Sequence, residues 1–219
     1  MFRLFGNGNK NNTFKPVKNH KNAKREDLHN LTMRTLGSGL MRCSVALPPG
    51  EDLQEWIAVN VVDFFNEVSL IWGIVLESDL PTYKAGEGFP IGFEYLWADG
   101  VVIKKPIRCS STEYVDYVMT WIEDKINDEG IFPINESTPF PKNYSAITKQ
   151  IFTRMFRIFA IIYTQHFSRL EQLGAAAHLN TSFKHLMYFI WEFELIDQRE
   201  MPAMSDIVKA LREKYDEEA

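Results

Sequence analysis

Cysteine is scarce in this chain. Cys43 and Cys109 are the only two in 219 residues, too few and too far apart for a disulfide framework. The pair implies reduced thiols in an intracellular setting. No apolar run approaches the ~20 residues of a membrane span, so none is expected. The start, Met-Phe-Arg-Leu-Phe-Gly, lacks the apolar stretch of a secretory leader, which predicts no signal peptide. His20, His29, His166, His178 and His185 share no ligand-like spacing. The phosphate-cradling G-x-x-x-x-G-K-[ST], the dinucleotide G-x-G-x-x-G and the zinc-binding H-E-x-x-H do not occur. Neither do the G-x-S-x-G elbow or a kinase signature. These absences move the expectation from an enzyme toward a binding or scaffold protein. No internal repeat is visible.

What is present is ample apolar content, 45%, and an uneven charge. Residues 1–34 carry eight basic groups against Glu26 and Asp27, a balance of +6. With −5 overall, the remainder carries −11. A basic tail on an acidic body suggests two binding surfaces of opposite sign, or self-masking. The acidic body argues against a nucleic-acid partner. Residues 6–22, rich in Asn, Gly and Lys without periodicity, read as extended or disordered. The expected organisation is a flexible basic tail over 1–26 and one helical domain over 27–219.

The stretch 143–173 reads as the central helix. Ile147, Ile151, Met155, Ile158, Ile162, His166, Leu170 and Leu173 recur at three- and four-residue steps, and four phenylalanines widen the apolar face. Arg154 and Arg157 lie one turn apart in it, and must reach solvent or meet an anion. A second strong helix opens at Glu51-Asp52-Leu53 and runs to about Leu76, with Trp56, Val59, Phe64, Val68, Ile71 and Val75 on its apolar face. Glu51 and Glu55 are neighbours four residues apart on it. Asp63, inside Val-Val-Asp-Phe-Phe, is not explained by helix-start chemistry and reads as an exposed acid. A short helix is expected over 27–35. Ala98-Asp99-Gly100 between two β-prone runs predicts a hairpin. Ser110-x-x-Glu113 has the form of a capping box starting a helix that fades near Asp128. Asn180 or Thr181 and then Ser205 are candidate caps of two further helices. His166 on an apolar face reads as a hydrogen-bonded core residue.

Several stretches together resemble the Mob family of kinase co-activators. They are Thr-Phe-Lys-Pro from Thr13, Thr-Leu-Gly-Ser-Gly from Thr35, Gly-Glu-Asp-Leu-Gln-Glu-Trp-Ile-Ala-Val-Asn from Gly50, and Val-Asp-Phe-Phe-Asn from Val62. Trp-Ala-Asp-Gly from Trp97, Ile-Lys-Lys-Pro-Ile from Ile103, Pro-Phe-Pro-Lys-Asn from Pro139 and His-Leu-Asn-Thr-Ser-Phe-Lys-His from His178 complete the set. The match spans nearly the whole chain, in order, and is nearest to the subgroup that works with NDR/LATS kinases.

The resemblance implies an all-α, mainly helical fold: a four-helix-bundle core with extra helices and a small β-hairpin. It implies no catalysis. It implies an adaptor that binds and activates an NDR/LATS-type kinase through the kinase's basic N-terminal regulatory region, in mitotic exit, cytokinesis or Hippo-like signalling. A scaffold that bridges complexes without activating a kinase is the alternative. The implied kinase surface is Leu36, Glu51, Glu55, Trp56, Val59, Asp63, Leu173 and His185. Arg154 and Arg157 would form the core of a pocket for a phosphothreonine peptide from an upstream Hippo-like kinase. Thr153 and Gly92 stand where further basic residues are expected, so binding should be weakened unless Lys104, Lys105 or Lys149 compensates. Thr13 and Thr35 match phosphorylated positions of related proteins. Relatives carry a zinc held by two Cys and two His; here only His166 is a clear remnant, Ile161 replaces the second His, and no cofactor is expected. The implied location is the cytoplasm, extending to the nucleus and the spindle pole or cytoskeleton.

Overall fold

The computed structural model describes residues 22–35, 40–77 and 80–218. Leu36, Thr13 and the side chain of Thr35 lie outside them. The described chain is helical: α1 (Ala23–Thr35), α2 (Met41–Val45), α3 (Leu53–Leu76), α4 (Ser111–Asn127), α5 (Tyr144–Ile161), α6 (Phe167–Gln172), α7 (Ala176–Glu192) and α8 (Ser205–Glu217).

α3 is the axis of the molecule, where the sequence pointed to 143–173. It packs against α1, α4, α5, α6 and α7. Its length and composition would suit a membrane span, but most of its surface is buried inside the protein. Asp52 caps it, accepting hydrogen bonds from the amides of Gln54 and Glu55. Trp56, Val59, Phe64, Phe65 and Trp72 are fully buried. Removing one such aromatic from a close-packed core would cost roughly 3–5 kcal/mol.

The 143–173 stretch is continuous but not uniform. α5 passes into a π-helical turn, Ile162–His166, and then into α6. Thr164 Oγ1 donates to the carbonyl of Ala160 at 2.7 Å within this wider turn. Phe152 and Phe156 of α5 pack near Phe189 and Phe183 of α7, which joins these two helices in the core.

The capping box at Ser110 is present, with Glu113 reaching back to the Ser110 amide. α7 begins at Ala176, a turn earlier than the Asn180 or Thr181 cap expected; Thr181 instead returns its hydroxyl to the Ala177 carbonyl. α1 begins at Ala23 rather than Asp27. Asn22 caps it by accepting from the Arg25 amide at 2.8 Å, and its own amide nitrogen donates to the Ile134 carbonyl. The last four residues assigned to the tail are therefore helical and docked.

The expected β-hairpin is not formed. Among the described residues there is no strand, and one isolated bridge joins Trp97 to Ile107. The reason is Asp99, whose carboxylate accepts from the amides of Val101 and Ile103 at 2.7 and 2.8 Å. Those amides are then unavailable to a ladder, so residues 101–103 belong to the turn and not to a strand.

An acidic row under a basic helix, and an arginine cleft

Glu51, Glu55, Asp63 and Glu67 fall at four-residue multiples along the start and body of α3. At ~100° per residue, such a row winds slowly round the helix. Each member faces a basic or imidazole group of its own chain. Lys24 Nζ lies 3.5 Å from Glu51, Arg25 Nε 2.6 Å from Glu55, and His29 Nδ1 2.9 Å from Asp63. All three come from α1, whose numbering rises with that of α3. His185 of α7 extends the row, with Nδ1 3.7 Å from Glu67.

The row is graded in exposure. The Glu51 and Lys24 side chains are about one third exposed, whereas Arg25 retains 5% and Glu55 12%. The guanidinium of Arg25 also lies over the Phe140 ring. Such a buried pair is costly to desolvate and costlier to break.

Asp63 is not the exposed acid expected from the sequence; its side chain is 10% exposed, under His29. Trp56 and Val59 are not surface residues either. Trp56 donates its indole N–H to the Val45 carbonyl, and Val59 is wholly enclosed. Their place on the apolar face of the helix accounts for this. His185 is buried against the Phe64 ring, and only Leu173 among the remaining described members is well exposed. Glu67 escaped the sequence reading, although its four-residue step from Asp63 was available as a signal.

Arg154 and Arg157 do lie together, in a cleft of about 390 Å³ lined also by Lys149, Thr153, Asp197 and Glu200. Lys104 and Lys105 are not among its lining residues, and neither is Gly92. Arg154 lies over the Trp121 ring at 3.9 Å and near Trp97, and one of its nitrogens donates to the Ala98 carbonyl at 2.9 Å. Burial lowers its pKa. Arg157 donates to Glu200 at 2.6 Å and contacts the Tyr114 hydroxyl at 3.4 Å. Burial works against its charge, but Tyr114 and Glu200 outweigh that and raise its pKa. Asp197, held by Arg199, has its pKa lowered to about 2. Three cations thus share the cleft with two carboxylates. An incoming anion must displace Glu200 from Arg157 to gain both guanidiniums.

His166 ends the π-helical turn, buried edge-on to Trp72, with Nε2 lacking a hydrogen-bond partner. The hydrogen-bonded core histidine expected from the sequence is thus only half right. Desolvation lowers its pKa to about 4. Ile161 is enclosed, the Cys109 thiol approaches the Tyr95 carbonyl, and no cluster of three His, Cys, Asp or Glu occurs among the described residues.

These features define an all-helical protein organised by one buried helix, with an acid row covered by a basic one. The family model described as Mob1/phocein family matches residues 33–204. The chain is 49% identical over 214 residues to MOB kinase activator-like 1 homolog B of Dictyostelium discoideum, covering 96% of this chain and 98% of that one. It is 46% identical over 214 residues to MOB kinase activator-like 1A of Medicago sativa subsp. falcata, covering 95% and 98%. The chain belongs to the Mob1/phocein family.

Proposed function

We propose that this chain is a non-catalytic co-activator that binds the basic N-terminal regulatory region of an NDR/LATS-type kinase, in mitotic exit, cytokinesis or Hippo-like signalling. One observation carries the reading: the acid row of α3 already accepts a basic helix, α1, through Lys24, Arg25 and His29. A basic segment from a partner would meet the same carboxylates, and the relatives' names, kinase activator-like, agree with such a partner. α1 then acts as an internal competitor. Phosphate on Thr13, ahead of α1, or on Thr35, its last residue, would add about −1.5 to −2 charges and weaken the hold of α1 on the row. The arginine cleft is the candidate site for a phosphorylated upstream kinase, with Glu200 as its gate.

The test compares the affinity of a basic regulatory peptide for the intact protein, a Lys24→Glu/His29→Glu variant and a Glu51→Lys variant. Loosening α1 should tighten binding about tenfold, and reversing Glu51 should weaken it and flatten its salt dependence. Equal affinities in all three would remove α3 as the docking surface. A kinase assay on the bound complex then separates activation from bridging.

A further inference from the structure

We propose that the turn over residues 98–103 is a lipid-binding tip, with Val101 and Val102 entering the interface of a membrane that bears anionic lipid. Lys104 and Lys105 would hold its headgroups. Val101 and Val102 are 69% and 78% exposed, side by side at the end of a closed turn. Apolar side chains in such a position are accounted for neither by the core nor by the acid row.

The backbone of the tip is prepared for an apolar phase. Bare N–H groups are what lipid tolerates least, at several kcal/mol each. Here the amides of Val101 and Ile103 donate to Asp99 Oδ1, and those of Asp99 and Gly100 to the Ile103 carbonyl at 3.1 and 3.3 Å. Desolvation pushes the Asp99 pKa up, but the amides of Val101, Ile103 and Val102, with Arg154 nearby, bring it below the usual value. The base is fixed too: Trp97 is buried and stacked on Tyr117 at 5.5 Å, and Ala98 is held by Arg154. The turn thus presents two valines with the amides of Asp99, Gly100, Val101 and Ile103 already paired.

Charge selects the occupant. Lys104 and Lys105 follow the tip directly and are exposed, on a body whose residues beyond 34 sum to −11. Anionic lipid attracts the tip and repels the remainder, which sets an orientation. An acidic peptide could satisfy the lysines but would leave the valines of this convex tip in water, whereas a bilayer interface covers both.

The experiment is flotation of the full chain with vesicles of phosphatidylcholine alone and of an equal mixture with phosphatidylserine. Binding should occur to the mixture and fall with added salt. Val101→Ser/Val102→Ser should reduce partition about tenfold, and Lys104→Glu/Lys105→Glu by roughly thirtyfold. Unchanged circular dichroism would show that the variants fold. Val102→Cys in a Cys43→Ser background, carrying an environment-sensitive fluorophore, should shift to the blue on the mixed vesicles. No binding to the mixture, equal binding to neutral vesicles, or binding indifferent to the valine changes would each overturn the proposal. So would self-association lost in the serine variant, or capture of a polyglutamate peptide, without vesicle binding; these assign the tip to a second copy or to an acidic protein.

Discussion

The acid row of α3 and the arginine cleft of α5 are both occupied by opposite charge from their own chain, but in different ways. The row is covered by a separate helix, α1, which contributes three of its partners in one piece. The cleft is closed from its rim by Glu200, the last residue of the short 3₁₀ turn Gln198–Glu200 that Asp197 caps, while Arg154 is fixed by Trp121 and Trp97. Opening the row requires lifting a helix, and opening the cleft requires moving one side chain. A covered row suits competition between two whole segments. A gated cleft suits adjustment of one ligand's affinity.

The largest effect should come from breaking the row at its buried step. Glu55→Lys leaves Arg25 enclosed beside a like charge, and urea unfolding should show a loss of about 3–5 kcal/mol. Arg25→Leu/Glu55→Leu should recover much of that, because neither charge is then buried. Next is His166, a buried polar group with no opposite charge beside it. Its folded pKa, about 4, lies below the unfolded 6.5. Its contribution is therefore whole above 6.5 and declines as pH falls toward 4, by on the order of 2–3 kcal/mol. His166→Phe should flatten that limb in unfolding curves taken across the range. At the cleft, Glu200→Gln releases Arg157 and should raise the affinity for a phosphothreonine peptide about tenfold, or ~1.4 kcal/mol, as measured by calorimetry. Smallest is the exposed end of the row: Glu51→Lys should change stability by no more than about 1 kcal/mol, since exposed pairs contribute little. A large loss there would erase the grading between Glu51 and Glu55.

The limits of α3, the capping box at Ser110 and the pairing of Arg154 with Arg157 were legible in the sequence, because each rests on local chemistry within a few residues. The burial of Trp56 and Val59 was legible as well, in the apolar periodicity of α3, and it conflicts with the surface role that the family resemblance implied. What was hidden depends on distant partners. The helix expected over 27–35 starts four residues earlier, at Ala23, because Asn22 caps it and α3 supplies counter-charges to Lys24 and Arg25. The hairpin failed because one carboxylate, Asp99, outcompeted a strand for two amides. The π-helical turn left no mark, since its residues keep a helical hydrophobic pattern.

That wide turn at Ile162–His166 works as a frame shift. It takes up one more residue than an α-turn would, so everything after it is rotated by ~100° relative to α5. Leu170 reaches the core in this shifted frame. A one-residue deletion within the turn would give a plain α-helix with Leu170 still facing the core, whereas drawing all of its residues into an α-helix would swing Leu170 away by ~100°. α6 and the start of α7 would have to be re-aimed, although every individual side chain there would remain suited to a helix.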